Sequence, residues 1–229
     1  MKFFSALILL ICPLIGEEID ALLIPYRLVE LGFPKDGIIK ELRFREGDQV
    51  PSGNLMALQD DLSEKLRLEH ASKVLEQRRF DAESHQKLFD KNMVSKDVFL
   101  EKKLAHEVSI IEKKRTEVQL EERRLLAPFD GIVVRLSRQK REWTRSGEVV
   151  FHLLDPAKLY AEALLEPQQA KSIRVGQHLN LRNRSETKGV VEFISPLIDA
   201  TSNLVRVKVA VDNQALKWKA GSVVQLRLP

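Results

Sequence analysis

Apolar residues recur at three different periods along this chain. Residues 21–31, ALLIPYRLVEL, form an aliphatic run that contains Pro25, which predicts an edge strand. Residues 34–59 then alternate in short apolar runs broken by Gly37, Gly47, Pro51 and Gly53. Turn residues at such close spacing predict a compact sandwich of short strands. From Asp60 the period lengthens to seven, and neither Gly nor Pro occurs again until Pro128. Leu68, Leu75, Ala82 and Phe89 repeat every seven residues with Ala71 beside them; Leu104, Ile111, Val118 and Leu125 do so again with Val108 beside them. Two such stripes running in opposite directions predict an antiparallel coiled-coil hairpin over residues 60–124. Acidic side chains in Asp60-Asp61-Leu-Ser-Glu64 suit a helix N-terminus. The break between the arms is 90–95, where Asn92 tolerates a left-handed turn and Ser95 can cap the returning helix. Arms of about thirty residues would reach ~45 Å at 1.5 Å per residue. Arg78, His85, Arg115 and Glu122 stand at inner positions of these stripes. Two readings are open: their long stems snorkel out of a two-helix seam, or the hairpin packs against copies of itself through polar contacts.

The β-pattern on either side of the helical segment is one pattern written twice. Pro34-Lys-Asp-Gly37-Ile is echoed 94 residues later by Pro128-Phe-Asp-Gly131-Ile. Each copy places Leu five residues after that Gly (Leu42, Leu136) and a further Gly sixteen residues after it (Gly53, Gly147). Matching halves separated by a polar helical insert predict one small β-domain, 21–59 with 125–155, split by a hairpin that leaves and returns. After Leu154-Asp-Pro156 the period falls to two. Residues 159–165, 179–181, 189–194, 205–211 and 223–228 read as five strands, with a short helix at 168–173, and together they predict a small antiparallel barrel over 156–229. The fold class expected is therefore mostly β, with one long α-helical hairpin.

Charge narrows the partners. The 229 residues carry a net +4 and are 31% charged. Residues 60–124 balance fifteen basic against fifteen acidic side chains, while 17–59 carry −3 and 125–229 carry +6. Nucleic-acid binding needs a concentrated basic stripe, and none is present. Residues 1–16, MKFFSALILLICPLIG, have the shape of a secretory signal peptide or short anchor, too short for the ~20 residues a spanning helix needs. Cys12 is the single cysteine and lies inside that segment; Ile11 before it is not the small residue that a lipidation signal wants. Without it the mature chain has no thiol, as suits an exported protein.

No enzyme constellation is expected: the chain has no glycine-rich phosphate loop, nucleophile elbow, HExxH or cysteine pair. The five histidines (His70, His85, His106, His152, His178) are scattered singly, and none would lie level with another on a folded hairpin. No metal and no cofactor are expected.

The order of split β-motif, helical hairpin and barrel resembles the periplasmic adaptor subunits, or membrane fusion proteins, of bacterial efflux and secretion systems (HlyD-like, RND-efflux type). The residues that carry the likeness are Gly37-x-Ile39-x-x-Leu42, Gly47-Asp-x-Val50-x-x-Gly53 with Leu55, and Ala127-Pro-Phe-Asp-Gly131-Ile-Val. Ile194-Ser-Pro196-x-x-Asp199 before Val205-Arg-Val, and Ala220-Gly221 near the last strand, match as well. The resemblance covers 21–229. It implies a lipoyl-like (barrel-sandwich hybrid) domain from the two halves and a non-enzymatic adaptor in the periplasm, free or anchored to the inner membrane. It further implies a homo-oligomeric tube linking an inner-membrane transporter to an outer-membrane exit duct. Hairpin tips of the family show Arg, Leu and Ser in the order R-x3-L-x6-S. Leu88 and Ser95 stand at that separation, but the Arg position is Ser84. The tip residues implied to meet a duct are Lys87, Leu88, Lys91, Val94 and Ser95, with Lys87 or Lys91 in place of the Arg charge. Two further departures are Arg141, where the first copy has Gly47, and the absence of residues for a membrane-proximal β-domain, which would make this a short member. Two other classes compete. An exported coiled-coil scaffold needs no transport partner, and a lipoyl or biotinyl carrier needs a modifiable Lys at the turn joining its halves, where this chain has the whole hairpin.

Overall fold

The computed structural model describes residues 17–182 and 186–229. The signal-like segment 1–16 and the question of Cys12 lie outside the described residues. The chain divides into two compact units, residues 28–155 and a second made from the described residues up to Arg27 together with 156–229.

The first unit interleaves the two sequence copies strand by strand. Before the helices come β2 (Leu28–Gly32), β3 (Gly37–Leu42), β4 (Gln49–Val50) and β5 (Leu55–Gln59); after them come β6 (Arg124–Leu126), β7 (Gly131–Leu136), β8 (Trp143–Thr144) and β9 (Val149–Leu154). One sheet has the order β2-β9-β7-β4 and the other β6-β5-β3-β8, so each takes two strands from each half. Phe33, Ile39, Val50, Met56, Phe129, Val133, Phe151 and Leu153 fill the space between them.

Hydrogen bonds repeat the exchange. The Gly47 amide donates to the Val133 carbonyl and the Arg141 amide to that of Ile39, both at 2.8 Å. Likewise the Ser52 amide donates to Asp130 and the Ser146 amide to Asp36, each at 2.7 Å. Each pair maps onto its counterpart by the 94-residue shift, so each half supplies hydrogen bonds to the turns of the other. The shift also explains Arg141. Its φ of 72° repeats the 91° of Gly47, so the turn demands a left-handed residue and the second copy meets that demand without Gly.

The second unit is a closed six-stranded barrel, β1-β10-β13-β12-β11-β14, with β1 at Glu18–Pro25, β10 at Lys158–Leu165, β11 at His178–Arg182, β12 at Glu186–Ile198, β13 at Val205–Asp212 and β14 at Val223–Arg227. Alternate residues Val205, Val207, Val209 and Val211 point inward with Leu159, Ala161, Ala163 and Leu165. Short α3 (Pro167–Lys171) begins with a capping box between Glu166 and Gln169. Gly189 is required by this packing: a Cβ there would stand 2.6 Å from Val209 Cγ1.

One boundary differs from the sequence reading. The domain of split halves was expected to begin at residue 21, yet Ala21–Pro25 pair with β10 and Glu18–Leu22 with β14, so that β1 completes the barrel as its sixth strand. Its proline stands at the end of β1, opposite Leu159. Period-two alternation marks a strand but not the sheet that will accept it.

Candidate functional site

Two helices project from the sandwich, α1 (Leu62–Asp90) and α2 (Lys96–Glu121). They turn at residues 91–95, where Asn92 adopts φ 57° and Ser95 caps α2 by accepting from the Val98 amide at 3.4 Å. At that end Phe89 stacks on Phe99 with ring centroids 5.2 Å apart. At the other end Arg123, just past α2, reaches Glu64 on α1. Contacts at both ends make the pair antiparallel.

The faces in contact are not those the heptads suggested. On α1, Leu68, Leu75, Ala82 and Phe89 are half-buried and Ala71 is buried, as expected of an inner face. On α2 the inner face carries Phe99, Ala105, Ser109, Thr116 and Leu120, of which Ser109 and Thr116 are buried. The expected stripe of Leu104, Ile111 and Val118 points the other way, with Leu104 61% and Ile111 68% exposed. The apolar heptad seam is therefore corrected on the α2 side: α1 keeps the face expected of it, and α2 meets that face with Phe99, Ala105, Ser109, Thr116 and Leu120. Ser109 and Thr116 hydroxyls donate to carbonyls one turn back in α2, which satisfies them without a partner across the seam. Of the four polar residues assigned inner positions, Arg78 and Arg115 are exposed. His85 is half-buried with Nδ1 2.7 Å from the Asp81 carbonyl, and Glu122 turns back to Lys35 of the sandwich at 2.5 Å.

The base of the hairpin is a buried polar joint. Arg123 donates to the Asp36 carbonyl at 2.6 Å, to Gln59 Oε1 at 3.1 Å and to Glu64 Oε1 at 2.8 Å. Gln59, fully buried on β5, donates in turn to Thr144 Oγ1 at 3.0 Å and to the Lys35 carbonyl at 2.9 Å, and Thr144 donates to the Gly37 carbonyl at 3.2 Å. One guanidinium thus ties the end of α2 to the start of α1 and to the first half of the sandwich, and through Gln59 to Thr144 of the second half. Asp61, before the first turn of α1, binds Lys65 at 2.7 Å and Lys40 at 3.2 Å. Burial alone would raise its carboxyl pKa, but the hydrogen bonds and charges of the two lysines outweigh it and hold the pKa below the ordinary value. Stability drawn from a lowered carboxylate is present above its unfolded pKa and is lost as pH falls through the folded one. Asp61→Asn should therefore flatten part of the fall in stability between pH ~5 and ~2, measured by urea unfolding across that range. An unchanged acid limb would show that the two lysines add nothing.

The tip holds the residues singled out in the sequence. Lys87, Lys91 and Ser95 are exposed, Val94 is half-buried and Leu88 is 36% exposed. The Leu88 carbonyl accepts from the Met93 amide at 2.8 Å, so the backbone of the turn holds it in place. These five residues share one end of the hairpin. The base joint was missed in the sequence. Its one available signal was Arg123 lying where the apolar repeat gives way to β6, a place where a charged residue has to find partners. On the barrel, Tyr160 donates to Glu192 at 2.7 Å beside Lys158, and burial together with that carboxylate pushes its hydroxyl up to about 12. This cluster satisfies itself.

Solved structures repeat the arrangement. A MacA–MexA chimera carrying the Pseudomonas aeruginosa MexA α-hairpin matches with a TM-score of 0.81 at 16% identity, covering 93% of this chain and 82% of the other. The membrane fusion protein Spr0693 of Streptococcus pneumoniae matches with a TM-score of 0.73 at 15% identity, covering 93% and 99%. A putative efflux transporter of Bacteroides eggerthii gives 0.75 at 18%, covering 93% and 68%. The chain thus shares its fold with these structures, among them a membrane fusion protein. In sequence it is similar to the cobalt-zinc-cadmium resistance protein CzcB of Cupriavidus metallidurans, 22% identical over 209 residues, and equally to a cation efflux CzcB of an Alcaligenes strain. The matched stretch takes in 82% of this chain but only 40% of those relatives. No family model matches. Among the described residues no helix is long and apolar enough to cross a membrane.

Proposed function

We propose that this chain is a non-enzymatic periplasmic adaptor of an efflux or secretion system. It links an inner-membrane transporter to an outer-membrane duct and assembles with copies of itself into a tube. The observation that carries the reading is the fixed base of the hairpin. α1 has 29 residues, a reach of ~44 Å, and the Arg123 joint clamps that lever to the sandwich. A long arm held rigidly at one end suits a spacer that presents its tip to something distant. The lipoyl-like identity of the sandwich, a coiled coil built between hairpins, and the tip residues Lys87, Leu88, Lys91, Val94 and Ser95 as the duct contact belong to the same proposal.

Leu88→Asp tests it. A carboxylate buried in an interface without a partner costs several kcal/mol, about enough to abolish a modest contact. The tagged full chain, extracted from membranes, should bring down both an inner-membrane transporter and an outer-membrane channel protein, identified by mass spectrometry. Leu88→Asp should lose the channel protein and keep the transporter, with helicity by circular dichroism unchanged. Recovery of neither protein with the parent chain would overturn the adaptor reading. Channel recovery undiminished in the variant would remove the tip contact.

A further inference from the structure

We propose that the cleft between the two arms, on the half of the seam nearer the sandwich, binds an amphiphilic organic anion: a molecule with an apolar body and one carboxylate or sulfonate. The proposal stands apart from the adaptor reading, because it needs only the hairpin itself. Along this stretch α1 contributes Ala71 to the seam and α2 contributes Ser109 and Thr116, all buried. Their short side chains close the seam without filling the groove beside it, and a cleft of about 660 Å³ stays open to solvent. Small-molecule sites enclose ~300–1,000 Å³, far more than an inorganic anion needs.

The lining has an apolar part and a charged part. Leu66 and Val74 stand on the α1 side with Ala71 at the floor. Leu66 is 59% exposed, so an alkyl chain or ring laid over it removes apolar surface from water. Arg67 of α1 and Arg115 of α2 line the same cleft, with His70 as a further N–H donor. Arg67 and His70 meet no carboxylate among the described residues, and Arg115 meets Glu112 only at 3.9 Å. Glu112 is the single carboxylate of the lining, so two guanidiniums leave an excess of positive charge there. The Ser109 and Thr116 hydroxyls already donate within α2. Recognition of an anionic head therefore falls to the arginines, whose planar forks match two oxygens of a carboxylate or sulfonate.

A ligand seated in the cleft touches both arms at once. Its binding is then coupled to the pairing of α1 with α2, and saturation should raise the stability of the hairpin by mass action. A cation of the same shape would meet two guanidiniums. A neutral body of the same shape would keep the apolar contact and forgo the charged one. The site therefore discriminates by charge.

Two fluorescent probes that share one ring system separate the parts: anilinonaphthalene sulfonate, an anion, and phenylnaphthylamine, which lacks the sulfonate. The full chain should bind the sulfonate saturably, and the neutral probe at least about tenfold more weakly. The double variant Arg67→Ala with Arg115→Ala should lose at least about tenfold in affinity for the sulfonate and bind the neutral probe as before. Both arginines are exposed, so helicity by circular dichroism should hold. Glu112→Gln should tighten the sulfonate by removing the one carboxylate that competes with it. An absence of saturable sulfonate binding, equal affinity for the two probes, or full sulfonate affinity in the double variant would each overturn the proposal. So would loss of binding in Leu104→Asp, which would place the probe on the outward stripe of α2.

Discussion

Replacing Arg123 with Ala is expected to destabilise the hairpin-bearing unit by about 3 kcal/mol or more, the usual loss when one partner of a buried ion pair is removed. Arg123 and Glu64 side chains are 17% and 9% exposed, so solvent compensates little. The truncation strands the Glu64 carboxylate and leaves Gln59 Oε1 and the Asp36 carbonyl without the donor they now have. Arg123→Lys should recover only part of the loss, because an ammonium cannot spread three contacts across a planar fork. Chemical denaturation gives the magnitude, and amide exchange at the start of α1 and at Gln59 gives the location. A loss under 1 kcal/mol, or one spread evenly over the chain, would mean that the arms are held by packing and not by this joint.

Phe151→Ala should cost about as much or more, 3–5 kcal/mol for a fully buried aromatic. Phe151 sits on β9 between Leu31 of β2 and Leu136 of β7 and is completely buried. It therefore joins strands from the two sequence copies. Deleting the ring opens a void in the single core that both halves fill. Exposed Trp143, on β8 of the opposite sheet, gives a useful control: Trp143→Ala should cost under 1 kcal/mol. Equal losses at the two positions would argue against a core shared by the halves.

Much of this architecture was legible because it follows from local rules. The echo of Pro34–Gly37 in Pro128–Gly131 pointed to halves that belong together, and the sheets interleave them. Turn chemistry at Asn92 and Ser95 placed the reversal between α1 and α2. Where reading by pattern failed, the deciding interaction was distant. Period two identified β1 as a strand, but only its pairing with β10 and β14 assigns it to the barrel. The repeat at Leu104, Ile111 and Val118 showed a stripe, yet a repeat does not say which neighbour it serves. Ser109 and Thr116 take buried places between the arms while Leu104, Ile111 and Val118 turn outward. The tip was visible only as a spacing of Leu88 and Ser95, and its contact is a proposal. Arg123 was invisible because its partners Asp36, Gln59 and Glu64 lie far away in sequence.

The pairing of β1 with both β10 and β14 has a consequence for how the molecule is made. The chain is nested: the helices sit between the halves of the sandwich, and the sandwich sits between the first strand of the barrel and all the others. As the polypeptide is delivered from its N-terminal side, α1 and α2 can associate through contacts close in sequence, on the fast timescale of helix formation. The sandwich closes only after β9 has appeared. β1 waits longest, since its last neighbour, β14, is near the opposite end of the chain. Such non-local closure is slow. During the wait, Glu18 and Asp20 beside the apolar positions of β1, and Pro25 at its end, discourage the bare strand from pairing with another nascent chain. Assembly thus proceeds from the innermost hairpin outward, and β1 is among the last of the described strands to find its place.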